Sequence, residues 1–362
     1  MKTGLAIFIT IFCLTISLSA QTKDSTDASG FSVFGYPYAF YTPETNFAFG
    51  AAGMGYFRTD SKPKTKLSSI LLSGYYTVNN QYDLTVTPEL YFGNNEYLIS
   101  GDFYYGKYID KFFGVGSNTP EINNPDYATH EFGIKLNIQT RIVGSLELGF
   151  IYDLLNSDIA DKKENPFLIN DDVLGKDGGV SSGLGFKFVF DSRDYLYLPT
   201  SGGYYIFNAI FYGAGLGSKY SFTDYLIDIR QYFQLAKRHL LTFQLYCNFM
   251  SGNPPFYEIP RLGGRMTMRG YYKGRYRDKN YFAAQTELKS WLWKDFNLGF
   301  VLFAGFGDVA ARFSQFKLTQ LQYSYGFGLR YIFDEKERLT VRADFGFGKN
   351  TSGIYFAMQE SF

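Results

Sequence analysis

The sequence is poor in the residues on which most soluble enzymes and metal sites depend. Its 362 residues include only two cysteines, two histidines and two tryptophans. Cys13 lies in an apolar leader, so Cys247 alone remains and no intrachain disulfide can form. His130 and His239 are too few for a histidine-rich metal site. We therefore expect no metal and no cofactor.

The sequence also lacks an excess of charge of one sign and, beyond its first residues, long apolar runs. It carries 35 basic and 34 acidic residues, a balance that argues against a nucleic-acid partner. After Leu18 no apolar run approaches the roughly 20 residues of a membrane helix. The opening stretch "MKTGLAIFITIFCLTISLSA" predicts a signal peptide over residues 1–20, followed by a short N-terminal segment, 21–30.

Aromatic residues and glycine are abundant instead: 38 Phe, 32 Tyr and 38 Gly, spread in short pieces. In 240–249, "LLTFQLYCNF", apolar and polar side chains alternate, as they do along a strand with two different faces. A soluble β-sandwich would also alternate. Charged residues and glycines recur on the polar face, however, which favours the lumen of a transmembrane β-barrel.

We therefore predict an all-β fold, an antiparallel transmembrane barrel of about 16 strands over residues 31–362. The even count places both termini on the periplasmic side. The three longest connections, near 108–129, 154–179 and 250–280, all follow odd-numbered strands and so share the extracellular side. The last predicted strand, 354–362, ends at Phe362.

The most basic of these connections contains "MRGYYKGRYRDKN" at 268–280. It can be read as an external basic patch, as a solvated loop tip, or as a loop that places an arginine inside the barrel. Alternation in 281–293 puts Glu287 on the lumen face, and Asp308 shares a face with Phe306 on the next strand. An arginine held inside a barrel needs such carboxylates, because an unpaired buried charge is costly.

Several stretches resemble the barrel of the BamA/TamA-type outer-membrane insertase superfamily. Arg269, Gly270 and Tyr271 resemble its V-R-G-F/Y signature, between strands 11 and 12 where the family inserts this loop. The stretch "DSRDYLYLPTSGG" resembles a second family motif, a turn. The residues that match that turn are Asp191, Arg193, Pro199 and Gly202.

The resemblance implies that the long loop folds inward into the lumen. It further implies that Arg269 pairs with the acids at Glu287 and Asp308, and that Tyr271 packs near Phe306.

The resemblance also implies a C-terminal targeting strand, in which Phe356, Met358 and Phe362 alternate. Ala357 and Glu360 depart from the family pattern there. Only about ten residues separate the expected cleavage site from the first strand, so we expect a member that lacks POTRA domains.

The expected location is the bacterial outer membrane, and the expected role is to assist assembly of outer-membrane proteins or of the envelope. A passive pore or a scaffold subunit of an envelope complex is the alternative. Expected partners are outer-membrane lipid and lipopolysaccharide, with other envelope proteins or a homodimer also open. An outer-membrane lipase or protease is disfavoured because His130 and His239 fall on opposite sides of the membrane.

Overall fold

The computed structural model describes residues 31–60, 65–123, 125–162, 165–170, 172–293, 297–335 and 338–362. Sixteen antiparallel strands close into one barrel, which confirms the predicted fold class and strand number. The expected signal peptide and the segment 21–30 lie outside the described residues. The barrel strands are β1 Ser32–Thr42, β2 Asn46–Phe57, β3 Ser68–Thr77, β4 Tyr82–Phe92, β5 Tyr97–Lys111, β6 Asp126–Val143, β7 Leu146–Asp161, β8 Gly179–Asp191, β9 Gly202–Tyr212, β10 Phe222–Ala236, β11 His239–Gly252, β14 Asn280–Trp293, β15 Leu298–Ala310, β16 Gln322–Asp334, β17 Leu339–Gly348 and β18 Thr351–Met358.

Alternating side chains explain why these segments form a barrel wall. Along β11, Phe243 and Leu245 are exposed on the outside, whereas Thr242 and Gln244 are buried in the lumen. The outward side chains meet lipid and the inward ones meet the lumen, so a shift of one residue would invert both faces. Among the described residues, no helix has the length and hydropathy needed to cross a membrane.

The long connections lie at one end of the barrel, which we call the extracellular mouth. Three of the strands that lead to it extend further than predicted: β5 to Lys111, β6 from Asp126 and β7 to Asp161. Their ladders continue as hydrogen-bonded pairs well beyond the ten or so residues that a bilayer requires. Helix α1, Pro166–Asn170, lies in the loop after β7.

An apolar cap closes part of the extracellular mouth. Side chains from β6, β7, β9, β10, β11 and four connections pack together there, among them Phe112, Tyr127 and Phe256. The Phe112 and Phe256 rings lie 4.8 Å apart, and those of Tyr127 and Phe256 lie 5.3 Å apart. Packed aromatic rings stabilise such a cluster beyond the area they bury.

The barrel closes through one weak junction, the seam between β1 and β18. Strand β1 pairs with β2 at eleven positions, whereas its pairing with β18 consists of Tyr41 opposite Phe356. The remaining β1 backbone on that side therefore has no ladder partner in β18.

Candidate functional site

The connection from β11 to β14, residues 253–279, packs against inward-facing side chains of the wall and is called the lumen loop below. Two short strands, β12 Arg261–Leu262 and β13 Tyr276–Arg277, pair antiparallel within it. An apolar cluster joins the loop to the wall: Leu262, Met268 and Tyr271 pack with Tyr281 and Val309. The loop thus has a packed core of its own against β14 and β15.

Arg269, at the tip of the lumen loop, is fully buried. Its Nη2 donates to the Glu287 carboxylate, and its Nη1 donates to Asp344 Oδ2 at 2.7 Å. The guanidinium also lies over the Phe303 ring, 3.6 Å from the ring centre, a favourable cation–π position. Although burial lowers the pKa of Arg269, the charges of Glu287 and Asp344 raise it overall.

The predicted partner Asp308 does not reach Arg269; the second carboxylate is Asp344 on β17. On β15 the lumen face carries Phe303, whereas Phe306 is 46% exposed on the outside and Asp308 follows it on that face. The Asp308 carboxylate accepts the Val309 backbone N–H at 2.9 Å. The prediction that Asp308 and Phe306 share a face of β15 is correct. That face points outward, however, and not into the lumen as predicted.

Further buried charges surround the Arg269 pair. Asp344 also accepts hydrogen bonds from Arg330 Nη1 and from Arg342 Nη1, the latter at 2.8 Å. Lys289 Nζ lies 3.2 Å from Glu287 Oε2. These residues come from β14, β16 and β17, so one buried ion network links the lumen loop to three strands of the wall.

The chain end completes the network. Strand β18 stops at Met358, Gln359 takes a positive φ of 65°, and the last residues turn into the lumen. Glu360 lies 2.9 Å from Lys289 Nζ and 3.0 Å from Arg330 Nε. Ser361 Oγ donates to Glu287 Oε1 at 2.7 Å.

The predicted C-terminal strand is therefore only partly right. Phe356 is partly exposed and Met358 is exposed, as expected, but Phe362 is only 4% exposed and does not extend the strand. Its ring lies near the Lys289 ammonium, 5.9 Å from ring centre to Nζ. The ion network inside the barrel holds the last residues away from the wall.

Gly270 and Tyr271 fasten the loop tip to the barrel beside the seam. A side-chain carbon at Gly270, whose φ is 106°, would lie 2.7 Å from backbone atoms of Phe347, so only glycine fits. The Gly270 N–H donates to the Tyr355 hydroxyl at 3.0 Å. Tyr271 donates its own hydroxyl to the Tyr323 carbonyl at 3.0 Å and does not pack on Phe306.

The predicted turn motif forms a compact connection at the periplasmic end. Arg193 donates to both oxygens of Asp191, at 2.9 and 2.7 Å, and stacks on Tyr204. Pro199 is buried, and Gly202 has a φ of 89°. These contacts fix the shape of the turn.

The other half of the lumen is less filled. A cavity of about 820 Å³ lies between the lumen loop and the wall, lined by residues such as Tyr75, Tyr104, Glu131 and Arg230. Burial, with the nearby Asp153 charge, raises the pKa of Glu258 in the loop to about 8. His130 and His239 lie near opposite ends of the barrel, on β6 and at the start of β11.

Asp344, Arg330 and Arg342 were absent from the sequence prediction, although a signal was present. In β17, "LTVRADFGFG", Arg342 and Asp344 alternate with Val341 and Ala343. Two opposite charges on one face of a membrane strand indicate a paired lumen site.

Comparison with known proteins agrees with this architecture. The profile of the Omp85 superfamily domain matches residues 68–362. No curated protein matches the sequence. Among solved structures, BamA from Haemophilus ducreyi lacking POTRA domains 1–3 is similar, with a TM-score of 0.63 and 11% identity over 91% of this chain and 70% of that one.

CdiB from Escherichia coli is similar over 90% of this chain, with a TM-score of 0.59 and 13% identity. CdiB from Acinetobacter baumannii is similar over 91%, with a TM-score of 0.56 and 14% identity. The chain spans 62% and 59% of those two structures, respectively. At these identities the likeness concerns the fold.

Proposed function

Since the chain belongs to the Omp85 superfamily, we propose that it assists outer-membrane protein assembly by opening at the seam between β1 and β18. The observation that carries this proposal is the single β1–β18 residue pair, Tyr41 with Phe356. Every other neighbouring pair of barrel strands is joined at eight or more positions. The seam is therefore the place where the wall separates at the lowest cost.

The free edge of β1 supplies the surface on which a client strand would pair. At the register set by Tyr41 and Phe356, a continued β18 would bring Glu360 opposite Pro37 and Phe362 opposite Gly35. Those residues are inside the lumen instead, so β1 keeps unpaired N–H and C=O groups. An exposed strand edge is a template for another strand.

Pro37 is consistent with this reading of β1. Proline cannot donate to a ladder and is found on edge strands. It pairs with Ala51 of β2, in a strand whose aromatic residues are mostly half-buried. Val33, on the outward face at its periplasmic end, is 63% exposed. A membrane-embedded client strand paired with β1 would cover this side chain.

The lumen loop holds the β18 side of the seam in place. Its tip bonds to β14, β16, β17 and β18 through Arg269, Gly270 and Tyr271, and it makes no comparable set of contacts with β1. Lys273 N–H reaches Glu44 in the turn after β1, at 2.8 Å. Movement of β1 away from a braced β18 side is the expected opening.

A disulfide across the seam tests the proposal. The variant Tyr41→Cys with Phe356→Cys, in a Cys247→Ser background, places two cysteines at paired positions of the seam. The native Tyr41 and Phe356 rings contact each other there, so both side chains point to the same face. Cells that depend on the locked protein should lose other outer-membrane proteins from the membrane. A reductant should restore their abundance.

Tyr325→Cys with Phe347→Cys is the matched control. These residues also form a paired Tyr and Phe with contacting rings, but they join β16 to β17 within a long ladder. This disulfide should leave client abundance unchanged. Normal client abundance with a fully formed seam disulfide would overturn the proposed opening.

A passive pore is the second candidate, and the 820 Å³ lumen cavity favours it. The apolar cap and the lumen loop oppose a steady open channel. Planar-bilayer recordings separate the two functions. A steady conductance in the parent protein, retained by the seam-locked variant, would support the pore.

A further inference from the structure

The connection from β15 to β16, residues 311–321, folds over the outside of the barrel and is called the outer clip below. The Phe313 ring meets the Phe249 ring edge-on at 5.8 Å, and Phe316 meets Phe282 in the same way at 4.9 Å. Phe249 and Phe282 belong to the outward faces of β11 and β14. The clip therefore lies on the lipid-facing wall, at the extracellular mouth.

The outer clip has a defined conformation. Asn280 Nδ2 donates to the carbonyls of Ala310 and Ala311, both at 3.0 Å, and fixes the point where the clip leaves β15. Two short 3₁₀ turns follow, and the Arg312 N–H donates to Gln315 Oε1 at 3.0 Å. The clip thus presents its side chains in fixed directions.

The clip exposes more apolar surface than its own contacts cover. Leu318 is 87% exposed and Phe313 is 73% exposed, the two highest values for any large apolar side chain in the described part of the chain. Neighbouring outward residues such as Phe306 and Tyr323 continue this surface into the lipid-facing belt. The environment that fits the clip is therefore the acyl region of the outer leaflet.

The clip is also positively charged. Residues 311–321 contain Arg312 and Lys317 and no acidic residue. Within the described ranges, neither cation forms an ion pair, and Asp308 on the same outer face pairs with neither. Two free cations beside apolar side chains at a membrane surface match a lipid that carries phosphate.

We infer that the outer clip binds a phosphorylated lipid of the outer leaflet, of the lipid A class. Its acyl chains lie against Phe313 and Leu318, and its phosphates meet Arg312 and Lys317. A folded protein partner fits less well, because it would have to enter the bilayer to cover rings that pack on the lipid-facing wall. The site is independent of whether the seam opens.

Native mass spectrometry tests this inference. The full barrel is offered lipid A and is released from detergent, and the lipid A that it retains is measured. Arg312→Gln with Lys317→Gln should reduce lipid A retention by roughly 30-fold, because each cation near a membrane surface strengthens binding about fivefold. Lys237→Gln with Arg238→Gln is the control. It removes the same charge from an exposed periplasmic turn and should retain lipid A at the parental level.

A second pair of measurements separates the two parts of the site. Phe313→Ser with Leu318→Ser should lower retention while the barrel keeps its heat-modifiable electrophoretic shift. Lipid A stripped of its phosphates should bind the parent as weakly as intact lipid A binds the Arg312 and Lys317 double variant. Equal retention of intact and stripped lipid, or equal losses in the clip and turn variants, would overturn the inference.

Discussion

The two edges of β18 differ sharply. On one side the strand pairs with β17 at eight positions, from Thr351 opposite Gly348 to Met358 opposite Val341. On the other side it meets β1 at Phe356 alone. Both edges belong to the same eight residues, so strand propensity cannot explain the contrast. What differs is where the chain goes after Met358.

The chain end decides the contrast because it exchanges strand pairing for buried ion pairs. Gln359 turns inward, and its N–H donates to the Thr340 carbonyl at 2.7 Å on the β17 side. Glu360 and Ser361 then join the network of Lys289, Arg330 and Glu287. The β17 edge is reinforced from within, and the β1 edge is left open.

Arg269→Ala should have the largest effect, because it removes a cation from two buried carboxylates. Breaking a buried pair in this way costs about 3 to 5 kcal/mol. The folded form should lose its heat resistance at a clearly lower temperature in semi-native electrophoresis. Arg265→Ala, an exposed position four residues earlier in the loop, is the control and should melt like the parent. If the two variants melt alike, the Arg269 network does not brace β17 and β18.

Glu360→Gln should have the next largest effect. The change removes the carboxylate that Lys289 and Arg330 share, at a cost of about 1 to 3 kcal/mol for buried groups left poorly satisfied. Residues 359–362 should then leave the lumen, and their backbone amides should exchange with solvent faster, as followed by mass spectrometry. Gln359→Ala, at an exposed position, should exchange like the parent. Equal exchange in both variants would show that Glu360 does not hold these residues in the lumen.

Much of the fold follows from alternation along the sequence. Period-two patterns placed sixteen strands and put Glu287 in the lumen, where Arg269 meets it. The same patterns could not rank the faces of β15, because 298–306 is apolar on both sides. Asp308 was therefore assigned to the lumen face of β15, whereas Phe303 is the residue that faces the lumen.

The course of the last residues could not be predicted from the sequence for a different reason. Ile354, Phe356, Met358 and Phe362 fit a strand as far as local pattern goes, and β18 is a strand to Met358. Whether the last residues continue it depends on Lys289 and Arg330, about 70 and 30 positions earlier in the chain. A tertiary ion network outweighs local propensity here, because the preference of a residue for a strand depends on its context.

Tyr41→Ala should have the smallest effect and should act on the seam alone. It removes the ring that contacts Phe356 with centres 6.5 Å apart, an aromatic pair worth about 1 kcal/mol. Hydrogen exchange of the β18 amides, followed by mass spectrometry, should quicken by roughly fivefold. Tyr325→Ala removes a comparable ring from its pair with Phe347, between β16 and β17. Nine ladder pairs hold those strands together, so exchange there should hardly change. Equal acceleration of exchange in the two variants would mean that one residue pair and a long ladder open equally easily. The seam would then not be the weak junction of the barrel.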